Sequence, residues 1–202
     1  MHSLATSFVL GYHGCDRETG ERLLQNEPFQ PSTNDYDWLG WGIYFWEANP
    51  DRALDWARER AKRKKQKEGI DVDPFVVGAV VDLGFCLDLV SSNGIQAIEE
   101  AYRDFEAVLA ATNVPMPENK GGEDLLSRRL DCAVIEFFHQ ARKAAGEQDV
   151  DTVRGVFTEG KRIYTNSGFR RKTHTQICVV NPEMIKGVFR VPDRHFTELS
   201  GS

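Results

Sequence analysis

The sequence predicts an α+β fold, with a mixed or antiparallel β-sheet core and flanking helices. Continuous apolar runs rich in β-branched residues, such as 75–81, occur towards both ends of the chain and are typical of buried strands. Between them, from about residue 92 to residue 150, apolar residues recur with helical spacing. We therefore expect a single domain, residues 1–202, with a helical insertion in its centre.

The individual elements follow from the same periodicities and from capping signals. Asn49, Pro50 and Asp51 predict a helix start, with asparagine as cap and proline at the first helical position. The lysine-rich end of this helix, 58–67, is either a solvated face or a contact for nucleic-acid phosphates. Residues 153–164 are expected to form a helix or a strand. The other expected strands are 8–12, 42–46, 75–81, 175–181 and 184–191, and the other helices are 19–25 and two between 92 and 146.

Composition limits the class of protein. The chain is long enough for one well-buried domain and short for two. Its net charge of −6 argues against a chain-wide nucleic-acid footprint, although a local basic patch remains open. The N-terminal residues lack a secretory signal, and no apolar run approaches the roughly 20 residues that span a bilayer. We expect a cytoplasmic protein without a membrane partner.

The cysteines indicate a reducing compartment. Cys15, Cys86, Cys132 and Cys178 are scattered and lack Cys-x-x-Cys spacing, so neither a disulfide scaffold nor a metal site is expected. Cys15 is either reactive or, as we favour, a small packed thiol.

The most informative stretch is 34–57, which holds all four tryptophans of the chain together with tyrosine, phenylalanine and glycine. Core strands are usually built from branched aliphatic residues and need few indoles. Flat rings mixed with glycine and polar residues favour a pocket for a planar, polar ligand, because rings stack on the ligand and glycine lets the backbone approach it. The alternative is an aromatic-rich core hairpin.

Three pieces carry a family resemblance. Tyr12-His13-Gly14 ends the first strand, Gly42-Ile43-Tyr44-Phe45 follows some thirty residues later, and a helix with Arg52 and Trp56 comes next. This order resembles the NAD-binding half of the ADP-ribosyltransferases of the diphtheria toxin and poly(ADP-ribose) polymerase type. The resemblance covers about 8–90 and 168–191, and it implies a split sheet with NAD as co-substrate and no metal.

The resemblance implies roles for the NAD-facing residues. His13 would hydrogen-bond the adenosine ribose, although it could instead tie two strands together. Gly14 would offer backbone groups to the nicotinamide amide. Tyr44 and Trp56 would sandwich the nicotinamide ring, with Trp46 as a competitor for the second place.

Two further residues belong to the implied NAD site. Phe45 continues the tyrosine-bearing strand and is counted among the cofactor-binding residues. Arg52 would lie near the diphosphate, unless it faces solvent.

The third catalytic position departs from the family. Counting back from Asn181-Pro182, Gln176 stands where the family has a glutamate that holds the nicotinamide-ribose 2′-hydroxyl. An amide can donate or accept a hydrogen bond but cannot act as a general base. Chain elongation is therefore not expected, whereas transfer of a single ADP-ribose stays open.

The loop before Gln176 is basic and, in this family, often contacts the target. Arg170, Arg171 and Lys172 suit an anionic acceptor such as RNA, DNA or an acidic protein patch, unless the loop is simply solvated. We expect a mono-ADP-ribosyltransferase, with a bacterial toxin or anti-phage effector neutralised by an antitoxin as its setting. A non-catalytic NAD- or ADP-ribose-binding module and an NAD glycohydrolase are the alternatives.

Overall fold

The computed structural model describes residues 8–197, so residues 1–7 and 198–202 of the expected domain lie outside it. It has nine strands and four α-helices within that range. The strands are β1 Phe8–Asp16, β2 Ile43–Glu47, β3 Pro74–Asp82, β4 Cys86–Asp88, β5 Asn119–Lys120, β6 Ser127–Arg128, β7 Thr152–Phe157, β8 His174–Val179 and β9 Ile185–Arg190. The helices are α1 Arg17–Leu24, α2 Pro50–Glu68, α3 Ser92–Thr112 and α4 Arg129–Ala144. Short 3₁₀ helices cover Pro182–Met184 and Asp193–His195.

Seven of the strands form one mixed sheet in the order β4-β7-β8-β2-β1-β3-β9. All neighbouring strands are antiparallel except β4 and β7, which are parallel. The predicted α+β class is thus confirmed. In the centre of the sheet, β1 and β2 pair only at Gly11–Glu47 and Tyr12–Trp46, whereas β1 pairs with β3 along its whole length. The sheet is therefore split between β1 and β2.

Helices cover one face of the sheet in two separate places. α3 and α4, which follow β4 in the chain, pack over Leu87, Val153 and Cys178. α2 packs over the other half of the sheet, where Ala53 and Trp56 contact Tyr12 and Trp46. Beside α2, Trp46 near the end of β2 and Gln176 near the start of β8 line a cleft.

Several local predictions are confirmed. The side chain of Asn49 accepts a hydrogen bond from the backbone N–H of Arg52 at 3.0 Å, and Pro50 is the first residue of α2. Residues 153–164, for which helix or strand was open, form β7 and then a loop. The first strand is longer than predicted and continues past Tyr12 to Asp16, because β3 supplies a partner at every position. His13 consequently lies within β1 and not at its end.

Candidate active-site cleft

A cleft of about 1070 Å³ opens where β1 and β2 separate. It is bordered by α1, α2, the loop 27–38 and the connection between β7 and β8. The volume is at the upper end for small-molecule sites, which suits a ligand as large as a dinucleotide. The cleft brings together five of the predicted site residues, which are His13, Tyr44, Arg52, Trp56 and Gln176.

His13 bridges the split in the sheet. Its Nδ1 lies 2.9 Å from the carbonyl oxygen of Tyr44. A carbonyl oxygen only accepts, so Nδ1 carries the proton and Nε2 of the neutral ring holds a lone pair. Burial lowers the pKa of His13, the bond to Tyr44 opposes this shift, and Arg60 adds to it. The histidine therefore ties two strands together, as the alternative held, while its Nε2 remains available as an acceptor.

Tyr44 presents its ring to the cleft with its hydroxyl already engaged. The hydroxyl donates to the carbonyl oxygen of Gly40 at 2.8 Å and accepts from the N–H of Leu39 at 3.0 Å. Burial, with smaller contributions led by Cys178, raises the pKa of Tyr44 well above its usual value, so the hydroxyl stays protonated. These bonds fix the ring against the loop before β2, and a ligand can meet only the ring itself.

The two candidate stacking tryptophans contact each other. The ring centroids of Trp46 and Trp56 lie 5.6 Å apart, tilted by 49°. Trp46 is 3% exposed, whereas Trp56 is partly exposed and has the Arg60 guanidinium 5.6 Å from its ring centroid. Trp56 therefore exposes more ring surface that a ligand can contact, and the buried Trp46 packs against it.

Gln176 is oriented by a residue distant in the sequence. The indole Nε1 of Trp38 lies 2.6 Å from Gln176 Oε1. Because the indole nitrogen is only a donor, it must face the amide oxygen, which turns the amide nitrogen of Gln176 towards the cleft. Nε2 has no hydrogen-bond acceptor among the described residues and is not sealed from solvent. Gln176 can therefore donate to a ligand oxygen.

Arg52 has unsatisfied hydrogen-bonding capacity. The residue is 7% exposed, and its Nη2 donates to Glu159 Oε2 at 2.8 Å. Its Nε and Nη1 are buried without a partner, as is Nε1 of Trp46. Leaving a buried donor unpaired costs about 1–3 kcal/mol, and more for a charged group. Because these two nitrogens are closed to solvent, an anion such as a diphosphate would bond to them only after the Arg52 side chain turned towards the cleft.

Two predicted cofactor-binding residues have packing roles in the fold. A Cβ on Gly14 would lie 2.3 Å from the carbonyl oxygen of Ala53, so Gly14 lets α2 approach β1. Phe45 is 0% exposed, and its ring lies 5.8 Å from that of His13, centroid to centroid. The Phe45 side chain is closed to solvent and packs against His13, and its predicted contact with a cofactor stays a prediction.

Most of the predicted target-binding triad is engaged in ion pairs. Arg170 pairs with Asp124 at 2.6 Å and with Glu123 at 2.7 Å. Lys172 lies 2.6 Å from a carboxylate oxygen of Glu59. Arg171 is exposed and makes no ion pair within residues 8–197. Of the three, Arg171 is the side chain that is free to meet an anionic partner.

The basic end of α2 also reaches the cleft. Arg60, Arg63 and Lys67 line it and form no ion pair in the part of the chain that the structure describes.

Cys15 lines the cleft too, but burial, reinforced by Asp16, raises the pKa of its thiol to about 12. A thiol with that pKa is not a nucleophile at neutral pH, so the packed-thiol alternative is favoured.

The roles of two residues of the cleft have no local signal in the sequence. Trp38 was one of four clustered tryptophans, and Glu159 was a single acidic residue in a loop. Their partners, Gln176 and Arg52, lie 138 and 107 positions away in the chain. Such pairings depend on the tertiary fold, and no local spacing encodes them.

Comparison with known proteins leaves the family open. No family model matches the sequence, and no solved structure matches it. An uncharacterized protein, MJ0359, of Methanocaldococcus jannaschii is 24% identical over 191 residues, covering 87% of this chain and 83% of the relative.

In residues 8–197, no helix is long and apolar enough to cross a membrane. Within the same range, no three histidine, cysteine or acidic residues cluster as metal ligands do.

Proposed function

We propose that the protein is a mono-ADP-ribosyltransferase that moves ADP-ribose from NAD to a macromolecular acceptor. The observation that carries this proposal is the complementary set of free groups in one cleft. His13 offers an acceptor and Gln176 offers a donor, while Arg52 and Trp56 line the same cleft with a guanidinium and an indole ring. These are the groups that two riboses, a diphosphate and a planar cationic ring require.

Each group has a matching part of NAD. Nε2 of His13 would accept a hydrogen bond from a hydroxyl of the adenosine ribose. The guanidinium of Arg52 would hold the diphosphate, because charge-assisted bonds to phosphate are the strong ones. Tyr44 and Trp56 would hold the nicotinamide ring between them, with stacking worth about 0.5–1.5 kcal/mol beyond area burial.

Gln176 determines which reactions the site supports. Its amide nitrogen would donate to the 2′-hydroxyl oxygen of the nicotinamide ribose and fix the sugar while the glycosidic bond opens. The glycosidic bond breaks with oxocarbenium character on the ribose, so holding the ribose in place lowers the barrier to bond breaking. Gln176 needs to transfer no proton for this effect. An amide cannot remove a proton from a second ribose. Transfer of one ADP-ribose is therefore favoured over polymer synthesis.

Two other functions remain consistent with the cleft. An NAD glycohydrolase would use water as the acceptor at the same site. A non-catalytic module would bind NAD or ADP-ribose without turnover, and the replacement of the family's glutamate by Gln176 favours this alternative.

The biological setting is a proposal drawn from the resemblance. We propose a cytoplasmic toxin or anti-phage effector, held in check by an antitoxin protein when the cell is not infected. The acceptor would be protein, RNA or DNA. Arg60 and Arg63, which line the cleft from α2, and the exposed Arg171 are cations that an anionic acceptor would contact.

The test uses purified protein and NAD labelled in the adenosine part. The protein is incubated with separated cellular protein, RNA and DNA, and both free nicotinamide and label on macromolecules are measured. Transfer predicts both signals, and hydrolysis predicts nicotinamide with free ADP-ribose. Calorimetric binding of NAD without nicotinamide release would identify the non-catalytic module and reject the transferase.

A further inference from the structure

His174 is a second neutral histidine in the cleft. It begins β8, two residues before Gln176, so both side chains lie on the same face of the sheet. Its ring stacks on that of Phe157, with centroids 5.7 Å apart and planes inclined by 14°, and the ring of Trp46 lies 6.1 Å away. The residue is 7% exposed and lines the cleft.

The protein holds this ring in one tautomer. Nδ1 lies 2.6 Å from the carbonyl oxygen of Lys172, so Nδ1 carries the proton and Nε2 has the lone pair. Nε2 makes no hydrogen bond within residues 8–197, and unlike Nε2 of His139 it is not sealed from solvent. The orientation matches that of His13, where a backbone carbonyl likewise fixes the proton on Nδ1.

His174 is mostly neutral at pH 7 because its pKa is lowered, mainly by burial. Burial lowers its pKa first, while the bond to the Lys172 carbonyl raises it. Arg52 on α2 lowers the pKa, Glu159 in the connection between β7 and β8 raises it, and the Lys172 ammonium lowers it. A neutral imidazole with a free Nε2 is a suitable proton acceptor near physiological pH.

We propose that His174 is the general base that removes the proton from the acceptor nucleophile. This proposal rests on the proposed function. His174 would accept the proton, which the amide of Gln176 cannot do. The fixed tautomer, the free Nε2 in the cleft and the position on the same face as Gln176 carry it.

The step balances without a further reactant. The acceptor's lone pair forms a bond to C1 of the nicotinamide ribose, and the electrons of the glycosidic bond pass to the ring nitrogen, so nicotinamide leaves neutral. The acceptor's proton passes to Nε2 of His174. The positive charge of the nicotinamide ring thus ends on the imidazolium, where the nearby carboxylate of Glu159 stabilises it.

A base at this place selects the chemical class of the acceptor. Hydroxyl groups and N–H groups lose a proton during attack and benefit from His174. Carboxylates and terminal phosphates are already deprotonated at neutral pH and gain nothing from it. The acceptor is therefore a hydroxyl or N–H nucleophile of a macromolecule, with water as its hydrolytic counterpart.

The test compares a nucleophile that carries a proton with one that does not. Nicotinamide release from NAD is measured in buffer, with cellular RNA, DNA or protein, and with azide, an anion that needs no base. His174→Gln removes the base, His174→Phe keeps a ring against Phe157, and Gln176→Ala is the comparison that harms the ribose contact. NAD affinity is measured for every variant.

Both His174 variants should lose about 100-fold or more in water- and macromolecule-dependent release while binding NAD as the wild type does. Azide should restore release in these variants and leave Gln176→Ala impaired. The assignment of His174 as base is wrong if either His174 variant keeps wild-type rates, loses NAD binding, or stays inactive with azide. None of these three results contradicts the proposed transferase function. A wild-type protein that releases no nicotinamide under any condition overturns both.

Discussion

The indole of Trp38 donates a hydrogen bond of 2.6 Å to the amide oxygen of Gln176, although the residues are 138 positions apart. The bond decides which end of the amide meets a ligand. An oxygen held by Trp38 leaves the amide nitrogen for the cleft, so the site offers a donor where the ADP-ribosyltransferases that the sequence resembles have a carboxylate. If the proposed function holds, Trp38 orients the residue that replaces this carboxylate.

Removing that orientation should slow catalysis without abolishing it. Trp38→Phe keeps a ring over Phe157 but frees the amide of Gln176 to turn. One lost hydrogen bond is worth about 1 kcal/mol, which predicts roughly fivefold slower nicotinamide release. Steady-state kinetics and NAD calorimetry measure the effect, and Trp41→Phe is the control because Trp41 is exposed outside the cleft. An equal effect in both variants would contradict the role of Trp38.

The aromatic walls should hold the nicotinamide end of NAD. Tyr44→Ala and Trp56→Ala each remove one stacking face, and each should weaken NAD binding by about 1 kcal/mol or more, or roughly fivefold. Tyr44→Ala should have the larger effect, since it also releases the bonds to Leu39 and Gly40. Binding of ADP-ribose, which lacks nicotinamide, should change less. Calorimetry that finds NAD affinity unchanged in both variants would remove the proposed sandwich.

Arg171 should contact the acceptor and not NAD. Because it makes no ion pair within residues 8–197, Arg171→Ala removes a cation without exposing a buried carboxylate. If the acceptor is a nucleic acid, labelling should fall several-fold, and its dependence on salt should become less steep by about one unit of slope. Lys186→Ala, on edge strand β9, is the matched control. If labelling of macromolecules changes neither with salt concentration nor in Arg171→Ala, the acceptor binds another surface.

Stability should fall in mild acid because three histidines are held neutral. Burial is the leading cause that lowers the pKa of His13, His139 and His174. The unfolded chain takes up these protons near pH 6.5, whereas the folded protein takes them up only at lower pH. Their contribution is therefore complete above about pH 6.5 and is lost as the pH falls from there towards the lowered folded values.

The size of this effect can be measured by urea unfolding between about pH 8 and pH 5. Each histidine contributes up to about 1.4 kcal/mol per pH unit within the window. His139→Gln, on α4 away from the cleft, should reduce the slope by one proton and leave NAD binding intact. A free energy of unfolding that stays constant through this window would show that the three rings are not held neutral.

The elements of the fold were largely predictable, because each depends on a local signal. Asn49 and Pro50 encode the start of α2, and the run 75–81 encodes β3 through its continuous β-branched residues. β5 and β6 are two residues each, too short to produce a period, and were missed. The length of β1 was also underestimated, since pairing with β3, and not its own sequence, carries it to Asp16.

The candidate site was predictable only in part. His13, Tyr44, Trp56 and Gln176 could be named from motif order, and they do share one cleft. The bond from Trp38 and the ion pair between Arg52 and Glu159 join distant segments. Gly14 could be chosen for close backbone approach, but only the fold reveals that the approaching group is Ala53 of α2.

Single-turnover release of nicotinamide from NAD by wild type, Gln176→Ala and Gln176→Glu tests most directly whether the cleft supports ADP-ribose transfer. We expect wild type to release nicotinamide and Gln176→Ala to release it roughly five- to a hundredfold more slowly, a barrier increase on the order of 1–3 kcal/mol, with little change in NAD affinity. Gln176→Glu should keep or raise release, because a carboxylate can accept from Trp38 and still hold the ribose hydroxyl. Wild-type release that Gln176→Ala leaves unchanged, or no release by any of the three proteins, would contradict this proposal.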